Sequence, residues 1–261
     1  MKVKELFSVE GKSAVVTGGS RGIGKMIADT LRENGCDVTI LYHHIDEEEV
    51  MSTTKGYACD VTDLRQIKKT VSKINKCDIL VNCAGTMFDD PMEEITREKW
   101  NHIFNLNTKA PFFLTQQLLP LLMKNGGSVV NIGSIAGLDK CAPQHKGMSY
   151  YVSKASLHHS MKVLAADLID KKININTIAP GPYATSLMGR EGIDYDLKRM
   201  EDVHVSGRLG NKNDIGGTVI LLCSKAGSFI TGETIELEGG LQTDANKAIQ
   251  LFDEVKKDIG K

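Results

Sequence analysis

Short apolar runs alternate with helix-patterned stretches along nearly the whole chain, and this alternation restricts the fold more than any other feature. Ala14-Val15-Val16 precedes a helical pattern from Met26 to Arg32, then come Val38 to Tyr42, a helical stretch near Leu64 to Ile74, and Ile79-Leu80-Val81. The series continues with Trp100 to Met123 helical, Ser128 to Ile132 extended, Tyr150 to Ile169 helical, Ile173 to Ile178 extended, Asp214 to Cys223 helical and Thr234 to Leu237 extended. Strands separated by helices need crossover connections, so they pair in parallel and the helices cover both sheet faces. The expectation is an α/β fold: a doubly wound, seven-stranded parallel sheet in three αβα layers, one strand more than the six apolar runs mark. No linker-like stretch divides the chain, so residues 1–261 are expected to form one domain. The least regular region, 181–208, reads either as a substrate lid or as an ordinary surface loop.

Charge narrows the partners. With 32 basic and 33 acidic residues the formal charge is −1, which gives no electrostatic footprint for nucleic acid or an anionic membrane. The first residues carry Lys2, Lys4, Glu5 and Glu10 with no signal-peptide core behind them, and no apolar run reaches membrane-spanning length, so a cytoplasmic protein is expected. Cys36, Cys59, Cys77, Cys83, Cys141 and Cys223 show no zinc-like spacing and read as reduced thiols. The pairs His43-His44 and His158-His159 are sequence neighbours, which diverge on a strand or a helix, so no metal site is expected.

Directly after the first strand comes Thr17-Gly18-Gly19-Ser20-Arg21-Gly22-Ile23-Gly24, and a helical pattern follows at once. Glycines there allow a sharp turn, a close approach of backbone N–H groups to a pyrophosphate, and tight packing of the helix, whose N-terminus favours an anion. The turn makes the sheet Rossmann-type and makes Gly18, Ser20, Arg21, Gly22, Ile23 and Gly24 candidate cofactor contacts. A carboxylate at the end of the second strand would bind the ribose 2′-hydroxyl of NAD(H). Asp37 precedes that strand and would lie at the wrong end; Tyr42 and His43 emerge at the right one. With Arg21 in reach of a 2′-phosphate, NADP(H) is preferred. NAD(H) stays open, with Asp46 as the missing carboxylate.

Tyr150 and Lys154 stand one helical turn apart on one face. A neighbouring ammonium stabilises phenolate and would lower the tyrosine pKa. Tyr151 is a competing residue, but only Tyr150 has lysine four positions on.

Together with the glycine turn, these residues carry a resemblance to the short-chain dehydrogenases/reductases over almost the whole chain. The ordered matches are Thr17 to Gly24, Asp60-Val61, Asn82-Cys83-Ala84-Gly85, Asn107, Ser134, Tyr150 and Lys154, Pro180-Gly181 with Thr185, Ile230-Thr231-Gly232 and Gly239-Gly240. The wording is most similar to β-ketoacyl reductases, including the rhamnolipid-type subgroup, in Asn131 to Gly137 and Ser153-Lys154-Ala155. The resemblance implies Tyr150 as general acid/base, Ser134 as the donor that orients the substrate oxygen, Lys154 as tyrosine modulator and ribose contact, and Asn107 as anchor of a proton-relaying water. It also implies cofactor contacts at Asp60, Val61, Asn82, Ala84, Gly85, Tyr150, Lys154, Pro180, Gly181 and Thr185, and a homotetramer or homodimer. The implied activity is NADP(H)-dependent reduction of a carbonyl, such as a 3-oxoacyl thioester, to a secondary alcohol. Two alternatives remain: an NAD-dependent alcohol or sugar dehydrogenase, and a non-catalytic nucleotide-binding regulator.

The chain departs from the family pattern in three places. Cys83 replaces the second asparagine of the Asn-Asn-Ala-Gly motif, the stretch Asp46 to Gly56 is too short for the usual helix, and Ser134 to Tyr150 is longer than common, adding rim loop at Asp139 to Met148. The tail from Leu241 to Lys261 holds a helical pattern that either packs on a neighbouring subunit or returns to its own core.

Overall fold

A computed structural model describes residues 2–43, 55–139, 146–185 and 197–244. Seven strands make one sheet: β1 (Ser13–Thr17), β2 (Asp37–Tyr42), β3 (Lys55–Ala58), β4 (Ile79–Asn82), β5 (Gly127–Ile132), β6 (Ile173–Pro180) and β7 (Thr234–Leu237). Their order is β3-β2-β1-β4-β5-β6-β7 and every pairing is parallel. The order reverses between β1 and β4, which opens a crevice beyond their C-terminal ends, the usual ligand position in such sheets. The expected Rossmann-type, three-layer architecture is therefore present.

The helices are α1 (Val3–Leu6), α2 (Gly22–Glu33), α3 (Leu64–Val71), α4 (Arg97–Phe104), α5 (Ala110–Leu122), α6 (Met148–Leu168), α7 (Leu197–Val203) and α8 (Lys212–Cys223). Successive strand residues point to opposite faces, so each strand supplies two cores. Ala14, Val16, Ile79, Val81, Val130 and Ile132 pack under Ile27, Leu31, Ile215 and Val219 of α2 and α8. Val15, Leu80, Val129 and Ile175 face Ile67, Leu114, Leu118, Leu157 and Met161 of α3, α5 and α6. Burial on both faces explains why these strands read as unbroken apolar runs.

Three boundaries differ from the sequence expectation. The stretch expected as one helix from Trp100 is α4 and α5 joined by a π turn over Asn105–Lys109, which turns Asn107 inward onto the Thr86 backbone. Helix α6 starts at Met148, because Gly147 in the left-handed region (φ 76°) caps it ahead of Tyr150. Helix α8 starts before Asp214: Asn211 caps it by accepting from Asn213 N, and Asp214 reaches back to Asn211 N at 2.9 Å. The bulk of the 46–56 segment, the rim loop at 140–145, the centre of the lid at 186–196 and the tail at 245–261 lie outside the described residues.

Candidate active site

The glycine turn leads from β1 into α2 as expected. Gly18 adopts φ +65°, and a Cβ there would stand 3.1 Å from Ala84 Cα, so the turn lies directly on the segment after β4. A Cβ on Gly24 would stand 2.2 Å from the Gly18 carbonyl oxygen, so only glycine lets the first turn of α2 fold under the loop. Gly22, at φ +54°, faces Thr185, whose Cβ lies 3.5 Å from the ideal Cβ position. Helix α2 has Arg21 at its N-cap with no side-chain cap bond and no acidic residue in its first turn. An uncapped N-terminus with a bare glycine cradle fits the diphosphate of a dinucleotide. Arg21 is exposed on this turn, Ser20 is half-buried, and Ile23 packs against the core.

Beyond the second strand, Tyr42 closes β2 against Gly56 and His43 follows it, exposed. His43 Nε2 is 3.9 Å from Asp60 Oδ2, and Asp60 accepts from both N and Oγ1 of Thr62, while Val61 is buried. Asp37 pairs with Ser13 at the opposite end of the sheet. Pro180 ends β6; Gly181 donates its N–H to Leu237 O, and its ideal Cβ would meet Glu238 at 2.8 Å.

The Asn82 side chain is buried, with the amide donated to Asn131 Oδ1 (2.9 Å) and Thr115 Oγ1 (3.4 Å), while its Oδ1 is buried without a partner among the described residues. It ties β4 to β5 and α5. The approach to the crevice on this side is made by Ala84 and Gly85, and Thr17 Oγ1 accepts the N–H groups of Cys83 and Ala84, both at 3.0 Å.

Ser134, Tyr150 and Lys154 converge beyond the end of β5. Tyr150 lies in the first turn of α6, its N–H donated to Gly147 O, and Lys154 follows one turn later with Nζ 5.8 Å from the Tyr150 ring centroid. The Ser134 side chain lies beside the Tyr150 phenol, whose pKa it acts to lower, and accepts from Ala136 N at 3.1 Å. Lys154 is only 6% exposed and donates to Ile132 O at 2.8 Å; burial brings its pKa down to about 8, with Cys83 opposing. A Cβ on Gly85 would lie 3.6 Å from Lys154 Nζ and 3.2 Å from Asn107 Oδ1, so a bare backbone there leaves room between them. Asn107 donates to Thr86 O and Ser153 Oγ and accepts from Thr86 N.

The tyrosine differs from expectation in its electrostatics. Burial raises the Tyr150 pKa, and the opposing influence is the Ser134 side chain, because the Lys154 ammonium is directed at the Ile132 carbonyl. The phenol therefore holds its proton at neutral pH. Sequence reasoning missed Thr17, Ser153 and His158 as parts of the site. Ser153 donates to Tyr150 O and accepts from Asn107, and His158 Nε2 accepts the Ser134 N–H at 3.3 Å. For His158 the available signal was its position one turn after Lys154 on the same helix face. Among the described residues no cluster of side chains could hold a metal ion.

Residues 18–242 match the family model described as enoyl-(acyl carrier protein) reductase. The rhamnolipids biosynthesis 3-oxoacyl-(acyl-carrier-protein) reductase of Pseudomonas aeruginosa is 33% identical over 253 residues, covering 90% of this chain and 97% of that protein. The NAD-dependent glycerol dehydrogenase of Listeria innocua is 31% identical over 244 residues, covering 90% of this chain and 95% of its own. Among solved structures, the Pseudomonas aeruginosa RhlG/NADP active-site complex superposes with a TM-score of 0.82 at 32% identity, over 91% of this chain and 99% of that one. With the glycine cradle, the convergent Ser134, Tyr150 and Lys154, and matches along nearly the full length, the chain belongs to the short-chain dehydrogenase/reductase family of NAD(P)-binding oxidoreductases.

Proposed function

We propose that the protein is an NADP(H)-dependent carbonyl reductase that converts a ketone, a 3-oxoacyl thioester or a compound of similar shape, to a secondary alcohol. The observation that carries this reading is the convergence of Ser134, Tyr150 and the buried Lys154 beyond the end of β5, with Lys154 Nζ 5.8 Å from the Tyr150 ring centroid and the Ser134 side chain acting to lower the phenol pKa. A reduced nicotinamide would supply the hydride to the carbonyl carbon. Tyr150 is the general acid: the phenol that burial keeps protonated gives its proton to the carbonyl oxygen as negative charge develops there. Ser134 Oγ accepts Ala136 N on one of its lone pairs, and its own proton is directed to polarise the same oxygen. Lys154 would hold the ribose hydroxyls of the cofactor, and Asn107 would mark the route by which a proton returns to the site. Gly18 to Gly24 would hold the diphosphate, while Pro180, Gly181 and Thr185 would hold the carboxamide end.

The preference for NADP(H) rests on the end of β2, where Tyr42 and His43 stand in place of a carboxylate and Arg21 lies exposed on the turn opposite. Asp60, 3.9 Å from His43, is the observation on the side of NAD(H) and an alcohol or sugar dehydrogenase. Exposed Phe112 and Phe113 on α5 and Val152 and Val163 on α6 support a homotetramer or dimer, checked by light scattering.

The test is a carbonyl panel running from acetoacetyl thioesters to diketones and keto sugars, with NADPH and NADH compared by absorbance on each substrate. Tyr150→Phe should lower kcat by about 10²–10⁴-fold and leave NADPH affinity nearly unchanged. Turnover retained by that variant would overturn the reading, and tight NADPH binding without oxidation across the panel would favour a non-catalytic regulator.

A further inference from the structure

His158 is a buried titratable group next to the proposed catalytic residues that the mechanism above leaves without a task. The adjacent histidines on α6 part company: His159 is exposed, whereas His158 points inward behind the loop that carries Ser134. That loop leaves the sheet after Gly133, whose N–H is donated to Ile178 O. The next N–H, that of Ser134, has no strand partner and goes to His158 Nε2 at 3.3 Å. The backbone folds closely around the ring. A Cβ on Gly133 would fall 2.1 Å from Nε2, and one on Gly137 would fall 2.9 Å from Cε1. Glycine at position 133 lets the loop lie against the imidazole, and at 137 it lets the loop approach both the ring and the α6 backbone at Lys154 and Ala155.

We propose that His158 is a positioning residue, whose neutral imidazole fixes the Ser134 backbone so that the serine hydroxyl faces Tyr150. This rests on the function proposed above. Two bonds define the serine: its N–H is held by His158, and its Oγ receives Ala136 N. With the backbone and one lone pair fixed, the remaining freedom of the hydroxyl is the direction of its own proton, toward Tyr150 and the substrate oxygen. The imidazole must keep an acceptor lone pair for this. Burial and the neighbouring Lys154 charge hold its pKa down to about 4, against the Gly137 backbone, so Nε2 stays unprotonated across the working pH range. The Nδ1 atom is buried and lacks a partner at full hydrogen-bond geometry, so the ring is held by this acceptor bond and by packing.

The experiment compares His158→Leu, His158→Gln and His158→Asn in the full-length protein with NADPH and the best substrate of the panel. A glutamine oxygen reaches the position of Nε2; an asparagine oxygen stops short at that of Nδ1. Leu and Asn should lower kcat by about 10- to 100-fold, the usual effect of displacing a catalytic group by about 1 Å, with KM for NADPH unchanged. Gln should restore kcat to within about threefold of wild type by the same argument. In the oxidation direction, where Tyr150 accepts the proton, Leu and Asn should move the acid limb of the pH profile upward, because the Ser134 contact that lowers the tyrosine pKa is weakened. If Leu does not fold, the contrast between Gln and Asn decides alone. Wild-type kcat and pH profile in Asn, or equal loss in Gln and Asn, would overturn the proposal. Tyr150→Phe and Ser134→Ala run alongside: turnover retained by both would overturn the proposed chemistry itself, whatever His158 does.

Discussion

Replacing Lys154 by methionine should make the protein more stable at neutral pH and less stable at high pH. Lys154 is buried, and its pKa falls from 10.5 to about 8 on folding, a difference that corresponds to about 3 kcal/mol. Below about pH 8 the lysine is charged in both states, and the folded protein carries the whole desolvation penalty. Between about 8 and 10.5 the unfolded chain binds the proton and the folded one does not, so stability rises with pH. Above that window both forms are neutral and the penalty is gone. Methionine keeps the volume, removes the penalty, and gives up the bond to Ile132 O, worth about 1 kcal/mol net. The variant should therefore exceed wild type by about 2 kcal/mol near pH 7 and fall about 1 kcal/mol below it near pH 11. Urea titrations of both proteins at several pH values measure this, since the other titrating groups cancel in the difference. A difference that stays constant across the range would show that Lys154 keeps an ordinary pKa in the fold, and the electrostatic account of the site would fail.

Other perturbations separate the parts of the site. Gly24→Ala drives a methyl group to within 2.2 Å of Gly18 O, and should raise the Kd for NADPH by at least about tenfold in fluorescence titrations, through displacement of the turn. Asn107→Ala removes the bonds to both the N–H and the C=O of Thr86 and should cost about 2–4 kcal/mol in urea unfolding, with kcat falling further than stability alone explains. Arg21→Gln should raise KM for NADPH by about tenfold and leave KM for NADH unchanged if the guanidinium meets the 2′-phosphate; equal effects on both would argue against that contact.

The sequence showed the central strands because they are covered on both faces and read as apolar runs. It did not locate β3: Lys55–Ala58 is an edge strand with no fully buried residue, so no apolar run marks it. The glycine turn and the Tyr150-Lys154 spacing were legible because close backbone approach and a shared helix face leave local signatures. The π turn over Asn105–Lys109 has no such signature, since it is stabilised by bonds from Asn107 to a segment 21 residues away. The same holds for His158, whose partner Ser134 is 24 residues distant. Asn82 shows the converse limit: a motif gives a residue's place in the chain and leaves open which way its side chain turns. The tyrosine's raised pKa was beyond the sequence for a related reason, as burial is a property of everything packed around the phenol.

Thr17 brings the two halves of the sheet together at the crevice. Its buried hydroxyl accepts the N–H groups of Cys83 and Ala84, and so pins the exit of β4 to the exit of β1 at the lip where the sheet order reverses. Neither half can slide along the other without losing both bonds, so the spacing between the glycine cradle and the Lys154 pocket is set in the free protein. A ligand that reaches from one to the other would meet a spacing set before it arrives, which lowers the ordering entropy that opposes its binding.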